Sequence, residues 1–272
     1  MTSTQDNELG SYEDELKQYE QLIPYLIQVS DSSGGIITNT IGIESTKIYT
    51  RLVLGAMTIG SILPANQVNH SSLWDYSSVA ILTRSLMEAA HRYFYLVEPG
   101  LSEEETNFRQ QIYFYRINCE KYRLYSEKIE HEVLKGFEEN LPVAKAAIMQ
   151  SNVYAALDKN MAQKIRSGNS DMHLTDAEVA KRNGLITENF EFFYRLLSVQ
   201  AHGSPMATTS QSNSRGRGLG NEAESFYLSL VLRLLSHYLS KTLLSQVELL
   251  SLHEKCSEPI SFAREVQSRG EI

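Results

Sequence analysis

Cysteine is scarce in this sequence, which contains only Cys119 and Cys256. The two lie far apart in the chain, and neither has a second ligand at a metal-binding spacing. This pattern argues against a disulfide framework and against a structural zinc site. We read both as ordinary thiols and expect a cytoplasmic protein.

Long apolar runs are also missing. The most apolar stretch is "LVLGAMTIGSIL" at 52–63, which is shorter than the roughly 20 residues that a membrane-spanning helix needs. The first residues are polar and acidic, without the basic and apolar regions of a secretory signal. The sequence therefore predicts a buried helix at 52–63 and no membrane association.

Basic residues are outnumbered: Lys and Arg total 25, Asp and Glu total 33, and the net charge is −8. Such a chain is a poor non-specific binder of nucleic acid, because neutralising phosphate requires Lys and Arg. Only a local basic site would be compatible with binding RNA. The Walker-type phosphate loop, the G-x-S-x-G elbow and H-E-x-x-H are absent as well. We predict no cofactor and no metal ion.

Apolar residues recur at three- and four-residue steps along most of the chain, and no stretch alternates as a half-buried strand would. The sequence predicts an all-α protein, a bundle of about six or seven mostly antiparallel helices. We expect a disordered tail at 1–10, one helical-bundle domain at 11–255 with a mobile loop at 203–222, and a C-terminal tail at 256–272.

Several helix boundaries can be predicted from individual residues. The β-branched segment 36–46 reads as a loop that leads into a helix from about Ser45. Ser102 with Glu105 matches a capping box that opens a helix reaching about 135, and Thr175 with Glu178 matches another. A further helix is expected to break near Pro142.

Four polar residues lie near the end of the helix predicted to stop at Ala201. They are Tyr194, Arg195, Ser198 and His202. Arg195 and His202 are seven residues apart and so lie about 20° from each other around the helix. Two interpretations are open. The residues form a polar site, or His202 simply favours the last turn, where the helix dipole and free carbonyls stabilise it.

A second cluster lies in "TRSLMEAAHRYFYLV" at 83–97. Arg84, Glu88 and His91 stand at i, i+4 and i+7 and share one helix face. Either they form an exposed ion pair that contributes little to stability, or they place charge in a buried helix. A buried charge would need partners.

These two segments resemble the HEPN superfamily (higher eukaryotes and prokaryotes nucleotide-binding). Arg-x6-His occurs at Arg84–His91 and at Arg195–His202, and "RSLMEAAHRYFYLV" is followed about a hundred residues later by "YRLLSVQAHG". The layout is similar to one uncharacterised bacterial family of that kind, over roughly residues 70–205. The residue after the motif arginine is often Asn in the superfamily, whereas here it is Ser85 or Leu196.

The resemblance implies a metal-independent endoribonuclease of a toxin–antitoxin or antiphage system. His202 would act as general acid/base and Arg195 as phosphate clamp, while Tyr194 and Ser198 would orient the RNA substrate. The supporting half-site would consist of Arg84, Glu88 and His91.

The resemblance also implies a homodimer and a cognate regulatory protein as partners. Other members of the superfamily are inactive helical modules. The alternative function is therefore a non-catalytic binding or regulatory module that acts through protein–protein contacts.

Overall fold

Every regular element in the described part of the chain is a helix. The computed structural model describes residues 9–64, 73–127, 131–185, 189–202, 204–209, 216 and 218–269. Within these ranges there are twelve helices and, besides them, one isolated β-bridge between Trp74 and Gly218. The helices are α1 (Tyr12–Ser32), α2 (Thr40–Ile62), α3 (Tyr76–Val97), α4 (Glu103–Tyr125), α5 (His131–Met149), α6 (Asn152–Ala155), α7 (Lys159–Arg166), α8 (Asp176–Arg182), α9 (Phe190–Ala201), α10 (Pro205–Thr209), α11 (Glu222–Leu249) and α12 (Ser257–Ser268).

The all-α prediction is confirmed, but the expected count of six or seven helices is too low. Four of the twelve helices, α6, α7, α8 and α10, have only four to eight residues. Elements this short span at most about two turns. They leave too few apolar repeats for periodicity to identify them.

The helix predicted from Ser102 to about 135 is instead two helices. Ser102 caps α4 as expected, since its hydroxyl accepts from the Glu105 N–H at 3.1 Å. However, α4 ends at Tyr125, where the Ser126 hydroxyl donates to the Arg123 carbonyl at 3.1 Å.

Two further boundaries differ from prediction. The α2 helix begins at Thr40 rather than near Ser45, because the Asn39 side chain accepts from the Gly42 N–H at 2.9 Å and caps the helix there. In α5 the helix continues through Pro142. The proline removes one backbone donor from the ladder without ending it. By contrast, the Thr175–Glu178 capping box is confirmed, with the Glu178 carboxylate 2.7 Å from the Thr175 nitrogen.

Several predictions concern residues outside the described ranges. These include most of the predicted disordered tail at 1–10 and much of the predicted mobile loop at 203–222. Within that loop, Pro205–Thr209 forms α10, and within the predicted C-terminal tail, Ser257–Ser268 forms α12. The mobility of the loop at 203–222 and the assignment of 256–272 as a tail stay predictions.

The chain divides into two compact units. The first comprises Met1–Phe94 and Ala180–Ile272, and the second comprises Tyr95–Val179. The prediction of one domain over 11–255 stays a prediction. Among the described residues, no helix combines the length and apolarity that crossing a bilayer requires.

In the first unit, α1 packs on α2, α11 and α12, and α11 packs on α2 and α12. Buried tyrosines join α1 to α2 through their hydroxyls: Tyr19 donates to the Ala56 carbonyl at 2.9 Å and Tyr49 to the Leu26 carbonyl at 3.3 Å. Each ring fills core volume while its hydroxyl finds a backbone acceptor. The α12 helix is held to α11 by Gln267, whose amide donates to the His237 carbonyl at 2.8 Å.

In the second unit, a buried arginine organises the start of α4. The Arg109 guanidinium donates to the Tyr95 carbonyl at 2.6 Å and pairs with Glu98 at 2.8 Å and with Glu105 at 2.6 Å. It also lies 4.5 Å from the centre of the Tyr95 ring. A buried charge is tolerated when it is paired and hydrogen-bonded in this way.

Two glycines of this unit allow a matched test of packing. Gly168 (φ +65°) and Gly100 (φ +77°) both have left-handed backbones, but only Gly168 is crowded, since an added Cβ would lie 2.7 Å from the Cys119 Cβ. We expect Gly100→Ala to lower the free energy of unfolding by about 1–2 kcal/mol, the cost of the backbone conformation. Gly168→Ala should lower it further. Urea unfolding of both variants measures the difference, and equal losses would contradict the crowding at Cys119.

His237 of α11 predicts a dependence of stability on pH. Burial, with Lys241 and Arg233 nearby, lowers the pKa of His237 from 6.5 to about 4. In the unfolded chain His237 therefore binds a proton as the pH falls below 6.5, whereas in the folded chain it binds one only near pH 4. Stability from this group is complete above pH 6.5 and is lost as the pH falls toward 4.

We expect wild type to lose more stability between pH 7 and 4.5 than His237→Leu, measured by urea unfolding at each pH. His253→Gln, a change at an exposed histidine of the same chain, serves as the control and should retain the wild-type slope. Parallel slopes for wild type and His237→Leu would contradict the prediction.

Candidate functional site

The outer side of α9 borders an open groove of about 840 Å³ within the first unit. The helix buries Phe190, Phe193 and Leu197, which recur at i, i+3 and i+7 on one side. Its other side turns Arg195 and Ser198 toward the groove, and His202, immediately after α9, lines it too. Three of the four polar residues singled out in this segment thus share one surface.

The fourth, Tyr194, contacts the second predicted cluster through Arg84. The Arg84 guanidinium carbon lies 3.8 Å from the centre of the Tyr194 ring. The Arg84 Nε donates to the Ser198 hydroxyl at 3.3 Å, and its Nη1 lies 2.8 Å from the Glu88 carboxylate. The structure therefore brings together Arg84, Glu88, Tyr194 and Ser198, residues that stand more than a hundred positions apart.

Arg84 is a buried connection between α3 and α9. Its side chain is only 8% exposed, whereas Glu88 is 42% exposed. A guanidinium can stack on a ring and donate in its own plane at the same time, which a lysine cannot do. Arg84 and Glu88 are therefore not simply an exposed ion pair, because the Arg84 side chain is buried and contacts three groups on two helices.

His91 does not share the surface of this cluster. It is fully buried, and its Nε2 shares a hydrogen bond of 3.0 Å with the Tyr238 hydroxyl of α11. Its ring also lies 5.7 Å from the ring of Phe190. The spacing Arg84–Glu88–His91 does place all three near one helix face, but α11 covers the end of that face that carries His91. His91 therefore lies in the core, and its membership of the supporting half-site stays a prediction.

Arg195 and His202 are both accessible. The Arg195 side chain is 80% exposed and pairs with the equally exposed Glu191 at 3.3 Å. His202 follows the last residue of α9, and its N–H donates to the Ser198 carbonyl at 3.1 Å. His202 is therefore both the residue at which the helix stops and part of the groove, so the two interpretations of this segment are compatible.

The remaining wall of the groove is largely apolar. Its apolar members come from α3, α9, α10 and α11, and they are Tyr76, Phe192, Leu196, Val199, Met206 and Tyr227. Gln200 and Ser204 also line the groove. Phe192 and Met206 are 54% and 67% exposed, which is high for side chains of their size. The sequence did not single out this wall, since its residues are scattered over four helices and no local spacing connects them.

A second contact also fixes α9 against α3. The Ser77 hydroxyl donates to the Gln200 side-chain oxygen at 2.9 Å. Together with the Arg84 contacts, this hydrogen bond holds α9 against α3 at two positions along the helix. The positions of Arg195, Ser198 and His202 relative to the groove are set by this double attachment.

The described residues contain no group of three or more His, Cys, Asp or Glu side chains arranged to hold a metal ion. The polar groups in the lining of the groove include a guanidinium, an imidazole, two serine hydroxyls, an amide and a carboxylate. This set can bind an anion and transfer protons. No family model, no curated protein and no solved structure matches the chain.

The stacked contact of Arg84 can be tested with a charge-conserving change. Arg84→Lys keeps the positive charge beside Glu88 but loses the planar face over Tyr194 and the Nε donor to Ser198. We expect the free energy of unfolding to fall by about 1–2 kcal/mol. Arg51→Lys is the matched control, because Arg51 is exposed and makes one long hydrogen bond, 3.4 Å, to Ser85. It should change stability by less than about 0.5 kcal/mol. Equal effects of the two changes would show that the α3–α9 contact is not specific to the guanidinium.

Proposed function

We propose that this chain is a HEPN-like helical protein that cleaves RNA without a metal ion in the groove along α9. The observation that supports the proposal most is the joint position of Arg195, Ser198 and His202 on that groove, with Ser198 tied to the Arg84 cluster. An imidazole and a guanidinium beside one accessible surface are the minimum that such a reaction needs.

The chemistry assigns one step to each group. His202 takes the proton of the RNA 2′-hydroxyl, and the 2′-oxygen attacks the adjacent phosphorus. Arg195 neutralises the charge that develops on the non-bridging phosphate oxygens. The bond from phosphorus to the 5′-oxygen then breaks, the leaving oxygen receives the proton, and a 2′,3′-cyclic phosphate remains.

The surroundings of Arg195 suit this role. Its present partner, Glu191, is 82% exposed, and such a surface pair contributes little to stability. Exchanging that carboxylate for a phosphate therefore costs little. Because the chain carries a net charge of −8, we expect binding to depend on this local cation rather than on a broad basic surface.

Arg84, Glu88, Tyr194 and Ser198 act as positioning residues in this proposal. The Arg84 side chain is almost fully buried and already contacts Glu88, Tyr194 and Ser198. It therefore fixes the position of α9 and does not contact RNA. Ser198 borders the groove as well and can orient substrate through its hydroxyl. We further propose a cytoplasmic effector of a toxin–antitoxin or antiphage system that works as a homodimer with a cognate regulatory protein.

A second candidate function has its own observation. The groove is mostly apolar, and it exposes Phe192 and Met206 beside Tyr76 and Tyr227. Exposed apolar surface of this kind is typical of protein-binding sites. A non-catalytic module that binds another protein through α9 would use the same groove and would need neither the acid–base capacity of His202 nor the charge of Arg195.

The test is cleavage of total RNA in the presence of EDTA. Wild type should cut, and His202→Ala should lose activity by a factor of about 10²–10⁴, the usual contribution of a general acid or base. Arg195→Gln should lower activity without loss of stability, because the side chain is almost entirely in solvent.

His253→Ala and Arg264→Gln are the matched controls, since both residues are exposed and neither lines the groove. Both should cleave like wild type, and all variants should melt alike. Cleavage that survives in His202→Ala would remove this histidine from the reaction. A wild type that does not cleave at all would favour the binding module.

A further inference from the structure

One end of the groove along α9 carries an aromatic pair. The first turn of α3 lies beside the last turn of α9 there, because the Ser77 hydroxyl donates to the Gln200 side-chain oxygen at 2.9 Å. Tyr76, which precedes Ser77, lines the groove together with Tyr227 of α11, and the centres of the two rings are 5.1 Å apart. His202 follows the same turn of α9 and lines the groove as well. The aromatic pair and the candidate acid–base group therefore lie at the same end of the groove.

Of the two rings, Tyr227 is the one that a ligand can reach. Tyr76 is only 5% exposed, whereas Tyr227 is half-buried and borders the open groove. Met206 of α10, which is well exposed, adds apolar surface to the same groove. This end of the groove thus offers a flat aromatic surface that a buried second ring supports.

Gln200 is the amide in this lining, and its orientation is fixed. Its side-chain oxygen accepts from Ser77 on α3, while its amide nitrogen donates to no other described residue. The residue is partly exposed and lines the groove. A primary amide carries an acceptor oxygen and a nitrogen with two donor hydrogens. Because the oxygen is held against α3, the nitrogen is the group that remains to bind a ligand.

A flat aromatic surface beside a fixed amide donor suits an unstacked nucleobase. Aromatic side chains stack on the face of any base, and amides form hydrogen bonds with base edges. A base can reach such a surface only when it leaves its own helix, which single strands allow and duplexes resist. The guanidinium of Arg195 in the same groove is available to the adjoining phosphate.

We propose that this end of the groove is a nucleobase subsite for single-stranded RNA, in which the base stacks on Tyr227 and the Gln200 amide nitrogen donates to its edge. The inference rests on the proposed function, since it describes how the same groove holds the nucleotide beside the scissile phosphate. Gln200 is then the residue that determines base specificity.

The fixed donor also determines which bases are preferred. Uracil and guanine present an oxygen at the base edge where cytosine and adenine present an amino group. An amide nitrogen that faces this position forms a hydrogen bond with an oxygen and meets a second donor in an amino group. The subsite therefore favours uracil over cytosine and guanine over adenine.

Binding tests this inference separately from cleavage. Fluorescence anisotropy of the full chain would use oligodeoxyuridine and oligodeoxycytidine of about ten residues, which lack the 2′-hydroxyl needed for the proposed reaction and match each other in size. Wild type should bind oligodeoxyuridine at least about fivefold more tightly, the value of one neutral hydrogen bond. Tyr227→Leu should weaken binding of both about tenfold, because stacking does not depend on the base, and Tyr227→Phe should bind like wild type.

Gln200→Leu should bind the two oligonucleotides with equal affinity, since it removes the donor. A purely structural role of Gln200 would instead lower both affinities and leave their ratio unchanged. Gln21→Leu, at an exposed position of α1 outside the groove, is the matched control and should retain the wild-type ratio. Thermal melting checks that each variant is folded.

The outcomes for the subsite and for cleavage can be told apart. If wild type prefers oligodeoxyuridine and Gln200→Leu does not, the subsite is supported even if total RNA stays intact. Three results would overturn it, even if RNA is cleaved: neither oligonucleotide binds, both bind equally to wild type, or Gln200→Leu keeps the wild-type ratio. A chain that binds neither oligonucleotide and does not cleave RNA would leave the groove to a protein partner.

Discussion

The guanidinium of Arg84 is the contact on which the candidate site depends. It lies under a tyrosine ring, donates to a serine and pairs with a carboxylate, and it does so with almost no exposure to solvent. A charge can occupy such a place only if its desolvation is offset by paired and stacked partners. Because those partners lie on α3 and α9, the position of α9 is fixed by the requirements of one buried charge.

The groove along α9 combines two kinds of surface. Its apolar wall exposes Phe192 and Met206, which gives it the character of a binding surface. Its polar groups, Arg195, Ser198 and His202, have the chemistry to bind an anion and to move a proton. Cleavage of RNA requires the acid–base capacity of His202, whereas binding of a protein partner does not. Substitution of His202 therefore distinguishes the two candidate functions.

The two polar clusters can be recognised in the sequence, but their contacts cannot. The i, i+4 and i+8 spacing of Tyr194, Ser198 and His202 defines a helix face, and a charged pair in an apolar helix indicates a need for partners, so both clusters could be recognised. The surroundings of His91 could not be predicted, because local spacing does not show that this position of α3 packs against both α9 and α11. Among the short helices, the start of α8 could be predicted from its capping box at Thr175, whereas periodicity could not delimit α6, α7 and α10, because it requires several turns.

The sequence by itself determined that the chain is helical, since apolar residues repeat at three and four positions over most of its length. It also determined several helix starts, such as those capped at Ser102 and Thr175, because capping depends on side chains only three residues apart. Only the tertiary structure decided which polar residues meet. The contact of Arg84 with Tyr194 and the apolar wall of the groove each join residues distant in sequence, and packing geometry rather than local spacing sets such contacts.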